Sequence, residues 1–165
     1  MIKQAIVFLL IAAVVLRPSH GMAEGARSWQ EYFFDGKEFR EGASSLLSSV
    51  YIKDGYVPVI KTESVPLPED RLPAGTGALV IFCYVQTTGG KLQSHSGYVP
   101  MAGAAIEIRN SERTMATRSD GKGYFVLALP AGQYDIQVRG FTRKALVEKG
   151  KTVFVMIRAG KGMVD

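Results

Sequence analysis

The sequence predicts an all-β fold: a seven-stranded antiparallel β-sandwich preceded by a mixed, partly irregular N-terminal extension. Three observations carry this expectation. Between Gly77 and Gly160, short runs alternate apolar and polar residues with a period of two, the pattern of a strand with one buried face. Turn signals separate those runs at near-regular spacing. The chain also holds 18 Gly and 7 Pro among 165 residues, turn formers in the quantity that many short strands require.

The N-terminus reads as a signal rather than as part of the fold. Lys3 is a lone positive charge before an apolar run of 12 residues, Ala5 to Leu16, which Arg17 and Pro18 break. Gly21 and Ala23 then place small residues at a cleavage point. This is the layout of a secretory signal peptide, and the run is shorter than the roughly 20 apolar residues a membrane-spanning helix needs. Cleavage is expected after Ala23, with Gly21 and Ala26 as alternatives. The mature protein is expected to be exported, to the periplasm or to the cell surface and medium, with no transmembrane segment after cleavage. Cys83 is the single cysteine, which rules out an intramolecular disulfide and suits a small buried hydrophobe.

Four segments follow: residues 1–23 as signal, 24–76 as an extension, 77–160 as the sandwich and 161–165 as a short tail. Within the extension, Ser28 to Glu31 fits a helical capping box that would put Trp29, Tyr32 and Phe33 on one face. The same stretch also reads as a hairpin turning at Asp35-Gly36. Ser49 to Ile60 reads as a hairpin around Lys53-Asp54-Gly55, and the prolines from Val65 to Gly75 mark an extended linker. The expected sandwich strands are 78–86, 104–109, 114–118, 124–129, 134–139, 144–148 and 152–158. Their alternation is clean: Ile106 and Ile108 oppose Glu107 and Arg109, while Tyr134, Ile136 and Val138 oppose Asp135, Gln137 and Arg139. A one-residue slip would expose each apolar row, so the register is well specified.

Three motifs in order resemble those of the carboxypeptidase regulatory-like, or transthyretin-like, domain. They are Val99-Pro100-Met101-Ala102-Gly103-Ala104-Ala105-Ile106 before the second strand, Thr117 to Phe125 with Asp120-Gly121-Lys122-Gly123 at a hairpin, and Leu129-Pro130-Ala131-Gly132-Gln133-Tyr134 at a turn. The resemblance covers about half the chain and implies a prealbumin-type sandwich whose first and last strands are neighbours. Its residues keep the fold, through positive φ at Gly and fixed φ at Pro, and carry no chemistry.

The search for chemistry favours a protein without enzymatic activity. After cleavage His95 is the one remaining histidine, in a polar loop at residues 87–97. That is too few for a zinc site or for the histidine-rich iron and hydrolase sites of enzymes on similar sandwiches, and neighbouring serines do not define a triad. No catalytic residue, metal site or cofactor is therefore expected. Pilin-type modules that join a first-strand Lys to a last-strand Asn are not matched either, since neither expected strand supplies its member. Arg139, Arg143, Lys144, Lys149 and Lys151 form a basic cluster that reads as a solvated edge. Without aromatic interleaving it gives no nucleic-acid partner. Residues 24–76 hold 6 basic and 9 acidic side chains, net −3, against 12 and 6, net +6, for residues 77–165.

One apolar row has no assigned place in the sandwich core. Leu79, Ile81, Cys83 and Val85 are assigned inward, which turns Val80, Phe82 and Tyr84 outward. In the last strand Phe154 and Met156 turn outward likewise. These five residues form a candidate interaction face, because the outer face of an antiparallel sandwich is ordinarily polar and an exposed apolar patch marks a contact surface. Its cover is either the chain's own N-terminal region, through Trp29, Phe33, Phe34 and the Tyr51–Val59 hairpin, or another subunit. The functional expectation is a non-enzymatic exported module that binds another protein, with a carbohydrate or envelope-polymer module as the alternative; Tyr98 and Tyr124 are its available rings.

Overall fold

The computed structural model describes residues 28–43, 48–61, 70–89 and 97–164. The signal segment, its cleavage point and His95 lie outside the described residues. All regular elements described are strands: β1 (Gln30–Phe34), β2 (Phe39–Glu41), β3 (Ser49–Ile52), β4 (Val59–Ile60), β5 (Thr76–Gly89), β6 (Gly97–Pro100), β7 (Ala105–Arg109), β8 (Thr114–Arg118), β9 (Tyr124–Pro130), β10 (Gly132–Val138), β11 (Phe141–Val147) and β12 (Thr152–Val164). The fold is all-β, as expected.

Of the two readings of Ser28 to Phe39, the hairpin forms and the helix does not. β1 pairs antiparallel with β2, closing at Phe34 and Phe39. The turn explains the choice: Asp35 Oδ1 accepts from the N–H groups of Lys37 and Glu38 at 2.8 and 2.9 Å, an Asx turn that competes with helix. β1 also pairs with β3, and β3 with β4, in a sheet ordered β2-β1-β3-β4. The described end of the proline-rich linker is not free. The Asp70 carbonyl accepts from Val57 N–H at 2.8 Å, and the Gly55 carbonyl accepts from Leu72 N–H at 2.9 Å.

The sandwich proper has two sheets. One is ordered β11-β10-β7-β8 and is antiparallel throughout. In the other, β5 is central: β12 lies along one side, while β9 (to Phe82) and then β6 (from Tyr84) share the other. Cys83 sits at the changeover, where its N–H donates to the Gly123 carbonyl and its carbonyl accepts from Met101 N–H, both at 2.8 Å.

Four features depart from the expectation. β12 runs parallel to β5, so the pairing is not antiparallel everywhere. The turn after β11 delivers β12 to the start of β5, where Gly150 N–H donates to the Thr76 carbonyl and Ala78 N–H to the Lys151 carbonyl. Both strands thus set out in one direction. β12 does not stop at Arg158 to leave a tail. After a register shift between Arg158 and Lys161 it pairs with the extension of β5 as far as Val164 and Gly89. β6 follows the expected loop at residues 87–97 as a strand that was not expected; its Pro100 suits an edge strand, where a missing N–H is tolerated. Finally, the described part of the N-terminal extension supplies β1–β4 as the third sheet of a three-layer stack, with no helix among its described residues.

The core has two compartments separated by the β5 sheet. Between the sandwich sheets lie Leu79, Ile81, Cys83, Ile106, Ile108, Ile136, Val138, Val155 and Ile157. On the other side of β5, Val80, Phe82 and Tyr124 meet Phe34, Val50 and Ile52 of the N-terminal sheet.

Gly123 tests the β5 changeover. Its φ is +83°, and a Cβ there would lie 2.7 Å from the Cys83 carbonyl oxygen. Backbone cannot yield as a flexible side chain does, and an L-residue at that φ is strained as well. Gly123→Ala is expected to cost about 2–3 kcal/mol in urea unfolding; an unchanged midpoint would contradict the described junction.

Candidate functional site

The outward row of β5 and β12 does not meet solvent. Val80 and Phe82 are 0% and 1% exposed, while Tyr84, Phe154 and Met156 are half-buried against the same cluster. The cover is the chain's own N-terminal sheet. Phe34, itself 1% exposed, packs its ring 5.1 Å from Phe82, 5.0 Å from Tyr84 and 4.8 Å from Tyr98. Phe39 stacks on Phe154 at 4.2 Å, and Tyr32 lies 5.4 Å from the same ring. Full burial of a ring such as Phe34 or Phe82 contributes about 1.5–3 kcal/mol, and well-placed aromatic pairs add about 0.5–1.5 kcal/mol each. The expected face is therefore a contact surface within the chain, and as a surface for a second protein it is closed.

The residues that close it differ in part from those expected. Phe34 does so, together with Tyr32, Phe39, Val50, Ile52 and Ile60. Phe33 is outside this cluster, because period-two alternation sends it to the opposite face from Tyr32 and Phe34. Trp29 instead meets Tyr56 edge-on at 5.9 Å, with Lys53 Nζ 4.1 Å from the Tyr56 ring centre. Two rings from the sandwich complete the cluster, and sequence reasoning missed their role. Tyr98 donates its hydroxyl hydrogen bond to the Phe34 carbonyl at 2.7 Å, and Tyr124 donates to the Ser48 carbonyl at 3.1 Å. Burial pushes both phenols above their usual range. Tyr98 and Tyr124 were the rings available for a carbohydrate platform; both are engaged in the interior contact.

Polar contacts seat the sheet at its margins. Glu31 Oε1 accepts from Ser49 Oγ at 2.5 Å and from Lys61 Nζ at 3.2 Å. Burial pushes this carboxyl up, but the hydrogen bonds outweigh it and hold Glu31 below its ordinary value. Lys122 Nζ donates to the Lys61 carbonyl at 2.6 Å, and Gly55 N–H donates to the Gly150 carbonyl at 2.8 Å. These bonds join the N-terminal sheet to the sandwich at two separate places.

No protein-family model matches the chain, and no curated protein matches it. Among solved structures it is similar to the Bacillus anthracis TIE protein, with a TM-score of 0.41 and 18% identity over 68% of this chain. The chain spans 23% of that protein's length. It is also similar to GBS52, the minor pilin of Streptococcus agalactiae, with a TM-score of 0.40 and 15% identity over 81% of this chain and 82% of that one.

Among the described residues, no group of three or more His, Cys, Asp or Glu side chains comes together as a metal site. Cys83 is 0% exposed, and burial pushes its thiol up to about 12. It is protonated at neutral pH, whereas a nucleophile would need the thiolate.

Two outcomes follow. Phe34→Ala removes the ring at the centre of the cluster and is expected to cost about 3–5 kcal/mol. Amide exchange should accelerate in β7 and β10 as well as in β1–β3, because the two layers unfold together; acceleration confined to β1–β3 would contradict that coupling. Cys83 gives a pH dependence. Its folded value lies above the unfolded value of about 8.5, so its contribution is fully present below that pH and is lost as pH rises towards 12. Between those limits the wild type should lose up to about 1.4 kcal/mol per pH unit more than Cys83→Ala. Parallel denaturation curves against pH would overturn this.

Proposed function

We propose that the protein is a non-enzymatic, exported β-sandwich module that binds another protein, as a subunit of an envelope or surface assembly. In this reading residues 1–23 are removed on export, residues 24–76 act as a built-in cover, and residues 77–160 are a sandwich of the carboxypeptidase regulatory-like kind. The observation that carries it is where apolar surface remains. Of the three large apolar side chains left exposed among the described residues, Phe141 (41%) and Leu146 (56%) lie on one strand, β11. That strand pairs on one side alone. The burial of Cys83 and the engagement of Tyr98 and Tyr124 support a binding role over catalysis or carbohydrate recognition.

The test is affinity capture of the mature protein from envelope extracts, with cross-linking and quantification against an unrelated sandwich. A defined partner in fixed ratio to the protein is expected, together with no tightly bound metal. About one ion retained per chain through chelation, or capture no different from the control, would contradict the reading.

A further inference from the structure

The unpaired edge of β11 combines exposed backbone, apolar side chains and positive charge. β11 pairs with β10 from Gly132↔Val147 to Val138↔Phe141, and no described strand is hydrogen-bonded to its other side, although β12 of the facing sheet approaches it. The hairpin turns at Arg139 (φ 47°) and Gly140 (φ 83°), the two positive values of a type I′ turn. Such a two-residue turn closes on a pair that exchanges both hydrogen bonds, and alternate pairs repeat this. The bonded residues of β11 are then Phe141, Arg143, Ala145 and Val147. The N–H and C=O groups of Thr142, Lys144 and Leu146 point to the free side.

A hollow flanks this edge on each face. On the outer face Arg109, Gln133, Asp135, Lys144 and Leu146 line one. On the other face Tyr84, Phe141, Arg143, Ile157 and Arg158 line the second. The Arg158 guanidinium lies 5.9 Å from the Phe141 ring centre. Each hollow has an apolar wall and two cations, but on the outer face Arg109 lies two strands in, ion-paired with Glu107 and across Asp135 from Lys144, so Lys144 is the cation at the edge itself. An added strand would send successive side chains to opposite faces, one set into each hollow.

We propose that β11 accepts an extended acidic segment of another protein as an added edge strand. This deepens the protein-binding reading above and rests on it. Backbone groups would supply affinity, while Lys144 on one face and Arg143 and Arg158 on the other select acidic side chains. A second copy of this chain is a poor occupant, because edge-to-edge pairing would bring Arg143 and Lys144 against their own copies, and like charges in cross-strand register repel. The acidic N-terminal sheet of the same chain is committed to the far side of the β5 sheet. Lysine and arginine on an edge strand ordinarily discourage pairing, but a strand protected in that way has no reason to expose Phe141 and Leu146 on opposite faces.

The probe is a short synthetic peptide of alternating glutamate and valine, compared with its lysine–valine counterpart and with heparin, a polyanion without strand-forming backbone. The glutamate peptide should slow amide exchange at Thr142, Lys144 and Leu146 of the full mature protein; the lysine peptide should not. Thr142→Pro removes an outward N–H while keeping the charge and the bonds to β10, and should weaken binding at least about tenfold. The double variant R143E/K144E should abolish it, and circular dichroism checks that both variants fold. The proposal is overturned if the glutamate peptide leaves these amides unprotected. It is likewise overturned if Thr142→Pro binds as wild type or if heparin protects the same amides equally, since either shows a charged surface without strand addition. Should a defined partner be captured equally by wild type and R143E/K144E, the protein-binding reading stands and this inference falls. Should no partner be captured, that reading falls while the peptide still decides the edge.

Discussion

The β5 sheet is apolar on both faces, and the architecture depends on covering both. A strand with one buried face alternates; β5 does not, because Val80, Phe82 and Tyr84 interleave with Leu79, Ile81 and Cys83. Left open, the second row would place two aromatic rings and an aliphatic side chain in water at about 25 cal/mol per Å². The N-terminal sheet removes that cost. It is itself too small to hold together alone, since a four-stranded sheet with strands as short as two residues has one apolar face and needs a surface to bury it on. Each partner therefore supplies what the other lacks.

The parallel pairing of β5 and β12 is compatible with this two-sided cover, while the turn before β12 sets its direction. Strands covered on both faces carry continuous apolar runs, and parallel neighbours are found in that setting. β12 repeats the double pattern, with Val153, Val155 and Ile157 towards the sandwich core and Phe154 and Met156 towards the N-terminal sheet. Hydrogen bonds at the rim then fix the position of the cover. The Tyr98 and Tyr124 hydroxyls reach backbone carbonyls of the N-terminal segment, so two rings that contribute apolar area also specify where the sheet sits.

Much of this was legible in the sequence where one rule acted alone. Strands with a single buried face, such as β7 and β10, show their alternation directly, and the two facing rows of β5 could be separated because one held the thiol and the aliphatic groups and the other the aromatic rings. Less legible were features decided by a partner distant in sequence. A capping box at Ser28 and an Asx turn at Asp35 both satisfy local rules, and the packing of Phe34 on Phe82 favours the strand. The role of Tyr98 was hidden because β6 is only four residues long and ends in Pro100. The direction of β12 depends on the turn at Glu148–Lys151 meeting the start of β5, which no local pattern records. The β11 edge was visible as charge, through Arg143 and Lys144, but exposure of Phe141 and Leu146 is a property of the assembled sheets.

The central claim is that the N-terminal sheet and the sandwich form one cooperative unit through the shared aromatic compartment. Trp29 is the only tryptophan in the chain and lies beside Tyr56 in the N-terminal layer, so its fluorescence reports that layer. Far-ultraviolet circular dichroism is dominated by the longer sandwich strands. Guanidinium unfolding followed by both signals is expected to give coincident transitions, the mark of all-or-none behaviour. A tryptophan transition complete at lower denaturant, with the circular dichroism signal still native, would contradict it.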